Sequence, residues 1–525
     1  MCLAAGGSFA VGESVAAADA DPAAEARAVA AIRRAAILDT AGAGHPLPLA
    51  ASWQTSDGPL SFTPSFAIEQ IRAGRYVLPW FWIDEPGRAG QEYSHSTVRL
   101  YYEPPLTYVA REHLPLTILA SQWENLLTER FAAYSATGPD GHALPLSPLG
   151  PVAPWAEVGR IWAQSPVIRA LEQRYPDPPL VEFLSNNEQP KLGPQDLGVV
   201  SNNDRPENVA QRRRIGDAWI ERYRALIRGF RDGLEAPGWR AHAIFVGYDA
   251  LSSSAVGRWG GWREETLGLP GRIEPWPYAW EGASVSYYLH DWAPDADDTV
   301  WGPEIEAMNF LPVLAEVRHA NPGFWFEMSS WDGQEPGQPS DKREFYRRRH
   351  EEWTPERYGG MLQFGMWLLR PRVVREFRNP GEDRLRFGSY FDELLAAVAR
   401  VHDEPLLADF WQHAKLVPNP VGGHPYQENL SPDYAGASRW FLLDASANPP
   451  RPWELGTRLA VYSLALERGV LSKREWLVYT FSPLNSPKSV TVQIPRGPRV
   501  TVPAAASGCY SLVNVAGDVL RTVGC

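Results

Sequence analysis

The residues best placed to do chemistry in this sequence are two glutamates and the amides beside one of them. Asn187 and Glu188 lie in SNNEQPKL (residues 185–192), just after the apolar run PPLVEF (residues 178–183). That run reads as a buried strand, so two amides and a carboxylic acid gather where a strand ends. Glu327 lies in FWFEMSSWDG (residues 324–333), flanked by Trp325, Phe326 and Met328. A carboxylate in such a strand needs a reason, because burying it is costly. Two facing carboxyls can divide one task between them. One stays protonated and donates to a departing oxygen, while the other is ionised and attacks carbon, which is the pattern of glycosidic cleavage.

The elements that would hold these residues repeat along the chain. From residue 46 a short apolar strand, a polar loop and usually a helical segment follow one another. Strands are predicted at 46–52, 76–83, 114–121, 179–186, 241–248, 283–290, 323–329 and 361–368. Each is apolar enough to be covered by helices. The clearest helical spacing runs over 205–234, through Ile215, Trp219, Tyr223, Leu226, Ile227, Phe230 and Leu234. Further helices are expected at about 157–175, 304–320, 342–357 and 388–417. The fold class is therefore α/β, an eight-stranded (β/α)8 (TIM) barrel with enlarged loops. A doubly wound open sheet competes with it, but PLPLAASWQTSDG lacks the Gly-rich turn such a sheet carries after its first strand.

Three regions follow. Residues 1–44 form an Ala-rich arm with a helical segment over 22–37, 45–420 the barrel, and 421–525 an accessory β-sandwich-like domain. In the last region REWLVYTFSP, KSVTVQIPR, RVTVPAA and CYSLVNV alternate with turn signals, as antiparallel strands do. Residues 455–467 fit a strand or a helix.

In a barrel the site forms at the C-terminal ends of the strands, so Glu188 after the fourth and Glu327 near the end of the seventh would share one bowl. Together with Asn187, the Trp-Phe-Glu of strand seven and Trp367, this arrangement resembles clan A of the glycoside hydrolases. The resemblance spans roughly residues 45–385 and does not single out a family. It implies a retaining β-glycosidase with Glu188 as acid/base and Glu327 as nucleophile, their carboxyls about 5–5.5 Å apart. Asn187 would bind the sugar 2-hydroxyl, Tyr288 or His290 would hold Glu327 ionised and aimed, and Trp367 would floor the subsite. For Trp367 a core position is the alternative. Glu182, further back on the same face as Glu188, reads as structural.

Composition agrees with a glycan ligand. The 525 residues include 22 Trp, more than the 19 Phe, and indole faces suit the apolar faces of sugar rings. The stretch 258–282, RWGGWREETLGLPGRIEPWPYAWEG, could present Trp259, Trp262, Trp276 and Trp280 along a cleft, or could pack on itself. The net charge of −12 argues against nucleic acid. No run is long and apolar enough to span a bilayer. No HExxH, CxxC, GxSxG, Walker or dinucleotide pattern occurs in a suitable context, and neither cofactor nor metal is expected.

The expected substrate is a β-linked oligo- or polysaccharide, a β-glucan or β-mannan cut internally. The alternatives are an exo-acting β-galactosidase, β-mannosidase or β-glucosidase and, in another class, a carbohydrate-binding barrel without catalysis. Export to the periplasm or medium is expected, with the cytosol as the alternative. Cys509 and Cys525 could pair in an oxidising compartment, leaving Cys2 over.

Overall fold

The computed structural model describes residues 21–36, 49–50, 64–83, 103–120, 136–137, 143–144, 150–185, 205–248, 276–285, 318, 321, 323, 325–328, 354–375, 384–417, 443–444, 451–452 and 460–525. Eight strands join in one sheet: β1 (Leu49–Ala50), β2 (Trp80–Ile83), β3 (Leu116–Ala120), β4 (Val181–Ser185), β5 (Ala243–Tyr248), β6 (Gly282–Val285), β7 (Trp325–Glu327) and β8 (Val373–Arg375). Among the described residues its seven pairings are all parallel, and the order is β1-β8-β7-β6-β5-β4-β3-β2. The first strand thus lies beside the last.

The sheet curls. β4 and β8 are four strands apart, roughly 19 Å across a flat sheet at ordinary strand spacing. Yet Glu182 on β4 reaches Arg372, just ahead of β8, with Oε1 3.4 Å from Nε. Only a sheet bent round on itself brings them together.

Which face is inside follows from the pleat. Phe183 on β4 and its register partner Phe245 on β5 both pack on Phe230 of the helix Pro206–Gly233, so they face outward. Their neighbours Glu182, Leu184, Ile244 and Val246 therefore point inward. Following the register through Val246↔Gly282 and Ser284↔Trp325 puts Trp325 and Glu327 on the inner face as well. Val373 and Arg375, opposite them on β8, share it.

The helices follow local signals. Pro206 opens the long helix, where its missing N–H costs nothing. The periodic residues Ile215, Trp219, Tyr223, Leu226, Ile227, Phe230 and Leu234 are all buried. The helix Ala153–Ala163 packs on it backbone to backbone. A Cβ at Gly159 would lie 2.1 Å from the carbonyl oxygen of Leu226, and one at Gly229 1.9 Å from that of Ala156. A single helix expected over 157–175 is two, because Ser165 caps the second by accepting from the Ile168 N–H ahead of Pro166.

One strand was expected in the wrong place. Residues 361–368 (MLQFGMWL) lie within the helix Pro355–Leu369, and the eighth strand is Val373–Arg375. Thr354 caps that helix, Pro355 occupies its first turn, and Arg370 ends it at φ 47°. Met361, Leu362, Gln363, Phe364, Met366 and Trp367 are all buried, because the helix touches the parallel sheet on one side and the C-terminal sheet on the other. A helix covered all round loses its 3.6-residue period and reads like a buried strand.

The C-terminal part is antiparallel. β9 (Lys415–Leu416), β10 (Tyr462–Arg468), β11 (Glu475–Phe481), β14 (Cys509–Asn514) and β15 (Val519–Val523) form one sheet. Between β11 and β14 runs the hairpin of β12 (Ser489–Gln493) and β13 (Arg499–Pro503). The sheet takes β9 from ahead of residue 421. Within 455–467, which fitted a strand or a helix, residues 462–467 belong to the strand β10, while 455–459 lie outside the described residues. Cys509 and Cys525 are joined by a disulfide. Closing a loop of this length removes about 3 kcal/mol of chain entropy from the unfolded state. Buried apolar side chains of both sheets form one continuous core, from Ala28 to Val513. Among the described residues no helix is long and apolar enough to cross a membrane.

Candidate active site

Glu327 is the last residue of β7 and points into the sheet's interior, with none of its surface exposed. Its register partner is Arg375, the last residue of β8 and 1% exposed, and Arg375 Nε forms an ion pair with Glu327 Oε2. Parallel register places the two side chains next to each other on one face. The guanidinium supplies the opposite charge that a buried carboxylate needs. The strand end is also pinned through the backbone. Met328 N–H donates to the Arg375 carbonyl at 3.2 Å, and Tyr358 OH donates to the Met328 carbonyl at 2.8 Å.

Sequence reasoning missed Arg375. The signal was PRVVREF (residues 371–377), a short β-branched pair beyond a proline. It is legible only once the preceding apolar run is recognised as helix.

A second inward pair lies near the other end of the strands. Glu182 is the second residue of β4 and 1% exposed. Thr117 Oγ1, its register partner on β3, donates to its Oε2 at 3.3 Å, and Arg372 stands at 3.4 Å. Burial outweighs both contacts and pushes its carboxyl up to about 7. Burial also lowers the Arg372 guanidinium from its ordinary value. Sites on parallel α/β sheets form at the C-terminal ends of the strands, so this pair is on the wrong side for substrate.

Two expected sugar platforms are core residues. Trp367 is wholly buried on the helix Pro355–Leu369, not on a strand. Its Nε1–H donates to Tyr510 OH on β14 at 2.8 Å, and its ring meets Trp411 edge-on. Tyr510 OH donates in turn to Gln363 Oε1, which also accepts from Arg400. Trp367 therefore ties the helix to the C-terminal sheet and floors no subsite. Trp280 packs on Tyr223 of the long helix, behind Gly247 of β5. Gly247 faces outward, and any Cβ there would strike the indole, so Trp280 fills the layer between helix and sheet.

Trp276 begins the short helix Trp276–Ala279. Asn187, Glu188, Tyr288, His290, Trp259 and Trp262 lie outside the described residues. Glu188 follows Ser185, the last residue of β4, by three positions.

No protein-family model matches the chain, and no curated protein does. Among solved structures it is similar to a family 36 α-galactosidase from Geobacillus stearothermophilus in complex with raffinose, at 12% identity and TM-score 0.38. That match covers 86% of this chain and 50% of the other, so the chain spans about half the α-galactosidase's length. It is also similar to a broad-specificity family 5 endoglucanase from Clostridium acetobutylicum, at 10% identity and TM-score 0.33, covering 67% and 96% of the two chains. A third is a modular family 26 endo-β-1,4-mannanase from Cellulomonas fimi, at 13% identity and TM-score 0.37, covering 90% and 97%. At these scores the neighbours do not define this chain's activity. All three are glycoside hydrolases, and the clan that the sequence resembles is represented among them by families 5 and 26.

Proposed function

We propose that this chain is a retaining β-glycoside hydrolase on a (β/α)8 barrel, with Glu327 as its nucleophile. One observation carries the reading. A glutamate ends the seventh strand of a curled parallel sheet, points inward, and is buried against a guanidinium. A carboxylate that must attack carbon has to be ionised and aimed, and this one is given both a countercharge and a fixed backbone.

Glu188, three residues past β4, is the acid/base partner in this scheme. It protonates the glycosidic oxygen while Glu327 attacks the anomeric carbon, giving a glycosyl ester and the free aglycone. Glu188 then takes a proton from water, whose oxygen attacks the anomeric carbon and releases Glu327. Asn187 holds the 2-hydroxyl, and Tyr288, His290, Trp259, Trp262 and Trp276 are the remaining candidates for sugar contact. The favoured substrate is a β-glucan or β-mannan cut internally, with exo-acting β-glycosidase action as the alternative. The disulfide between Cys509 and Cys525 supports folding in an oxidising compartment, outside the cytosol.

The complete burial of Glu327 beside Arg375 also fits a second reading, a structural ion pair in a barrel that binds glycans without cutting them. Product release from β-glucans, β-mannans, xylans, galactans and aryl β-glycosides separates the two. The hydrolase reading expects turnover of one class by the parent, persisting in EDTA and absent in Glu327→Ala and Glu188→Ala. Binding of a glycan that is unchanged by both substitutions, with no turnover by the parent, would favour the second reading.

A further inference from the structure

We infer that Arg375 is a positioning residue for the reaction, fixing the Glu327 carboxylate in its charged form and its attacking orientation from the adjacent strand. The inference rests on the reading of Glu327 as the nucleophile and adds to it a residue that the sequence resemblance did not supply. Three observations carry it. The two residues are direct register partners at the ends of β7 and β8. Their ion pair runs between neighbouring strands along the wall, so it need not cross the interior space where a sugar would sit. The residue after Glu327 is held on both sides, by the Arg375 carbonyl and by Tyr358.

Stability alone is a poor account of the pair. Two ions withdrawn from water seldom repay their desolvation, and well-packed apolar residues of similar volume often do as well or better. Position is informative here. The pair occupies the strand ends at which α/β barrels build their sites. Tyr288 and His290, the sequence-level candidates for this role, lie outside the described residues.

The experiment compares the parent with Arg375→Met and Arg375→Lys, using protein labelled with 13C at the glutamate side-chain carboxyls. The Glu327 resonance is identified by its loss in Glu327→Gln. The expected result is a Glu327 carboxylate that titrates at lower pH in the parent than in either variant. In Arg375→Met its titration should move up by about one pH unit or more, and in Arg375→Lys by less. On the substrate that the panel identifies, kcat should fall roughly 10- to 100-fold in Arg375→Met with little change in KM, and the acid limb of the pH profile should move with the resonance. Arg375→Lys keeps the charge and guards against a variant that fails to fold. It should retain the acid limb and lose part of kcat.

Unchanged Glu327 titration in both variants overturns the inference, whatever the parent hydrolyses. An unchanged kcat and pH profile in both variants overturns it equally. A shifted resonance in a parent that cuts nothing on the panel upholds the hold on the carboxylate and defeats the hydrolase reading instead.

Discussion

Among the described residues, the interior of the curled sheet holds two glutamate–arginine pairs, one near each end of its strands, and the carboxylates meet different conditions. Glu182 on β4 and Arg372, just ahead of β8, face each other across the curled sheet, 3.4 Å apart, with Thr117 as a further donor. Their contact is too long to offset burial, and the Glu182 carboxyl is pushed up to about 7. Glu327 and Arg375 are neighbours in register at the strand ends, with the backbone beside them pinned. The residue types are the same. Place along the strand and closeness of the partner set the two carboxylates apart: one is braced inside the sheet, the other is paired at the strand ends where the proposed reaction would take place.

The comparison breaks most easily at the carboxylates. Glu327→Ala should lower turnover by about ten-thousand-fold or more, as removal of a nucleophile does. Glu182→Gln should leave kcat/KM within a few-fold of the parent. Steady-state kinetics on the substrate found in the panel reads both, and a large loss in Glu182→Gln with a small one in Glu327→Ala would reverse the assignment.

Next in size is the loss of one partner from the lower pair. Arg372→Met leaves Glu182 buried without its countercharge and should cost about 3 kcal/mol in denaturant unfolding at about pH 8, above the range in which the parent's Glu182 keeps its proton. The double variant Glu182→Gln, Arg372→Met should recover most of that loss. If the single variant is as stable as the parent, the Glu182–Arg372 pair does not brace the sheet.

The pH dependence of stability sharpens the same contrast. Glu182 keeps its proton to higher pH in the folded chain than in the unfolded one. Its contribution to stability is therefore complete below the ordinary carboxylate range and is lost as pH rises through about 7. Between about pH 5 and about pH 8 the parent's unfolding midpoint should fall further than that of Glu182→Gln. Equal slopes would mean that the carboxyl is solvated or better paired than its surroundings imply.

The smallest effect separates core from cleft. Trp367→Phe removes the hydrogen bond to Tyr510 and should cost about 1 kcal/mol while leaving KM unchanged. A raised KM would return this residue to the sugar site.

Much of this fold was legible in the sequence, because most strands and the long helix carry clean periods. The stripe from Ile215 to Phe230 and the apolar runs around Phe183 and Phe245 were read correctly, since each buries one defined face. The eighth strand was not. MLQFGMWL is enclosed by two sheets and so has no polar face to reveal its helical turn, and VVR is too short to announce itself. Glu327 stood out because a carboxylate among Trp325, Phe326 and Met328 has no apolar explanation. Arg375 did not, because an arginine at the end of a short strand reads as surface until the register pairs it with a buried acid. Trp280 and Trp367 show the limit of composition: an indole suits a sugar face and a helix–sheet gap equally, and only neighbours such as Tyr223 and Tyr510 tell them apart.

The most direct test of the central claim is to trap the nucleophile. The protein would be incubated with 2-deoxy-2-fluoro β-glycosides of the gluco, manno, xylo and galacto series carrying a good leaving group, and the labelled peptide mapped by mass spectrometry. The account predicts one sugar bound as an ester on Glu327, at one equivalent per chain and with matching loss of turnover. A label on Glu188, Glu182 or any other carboxylate, or sustained turnover with Glu327 unlabelled, would contradict it.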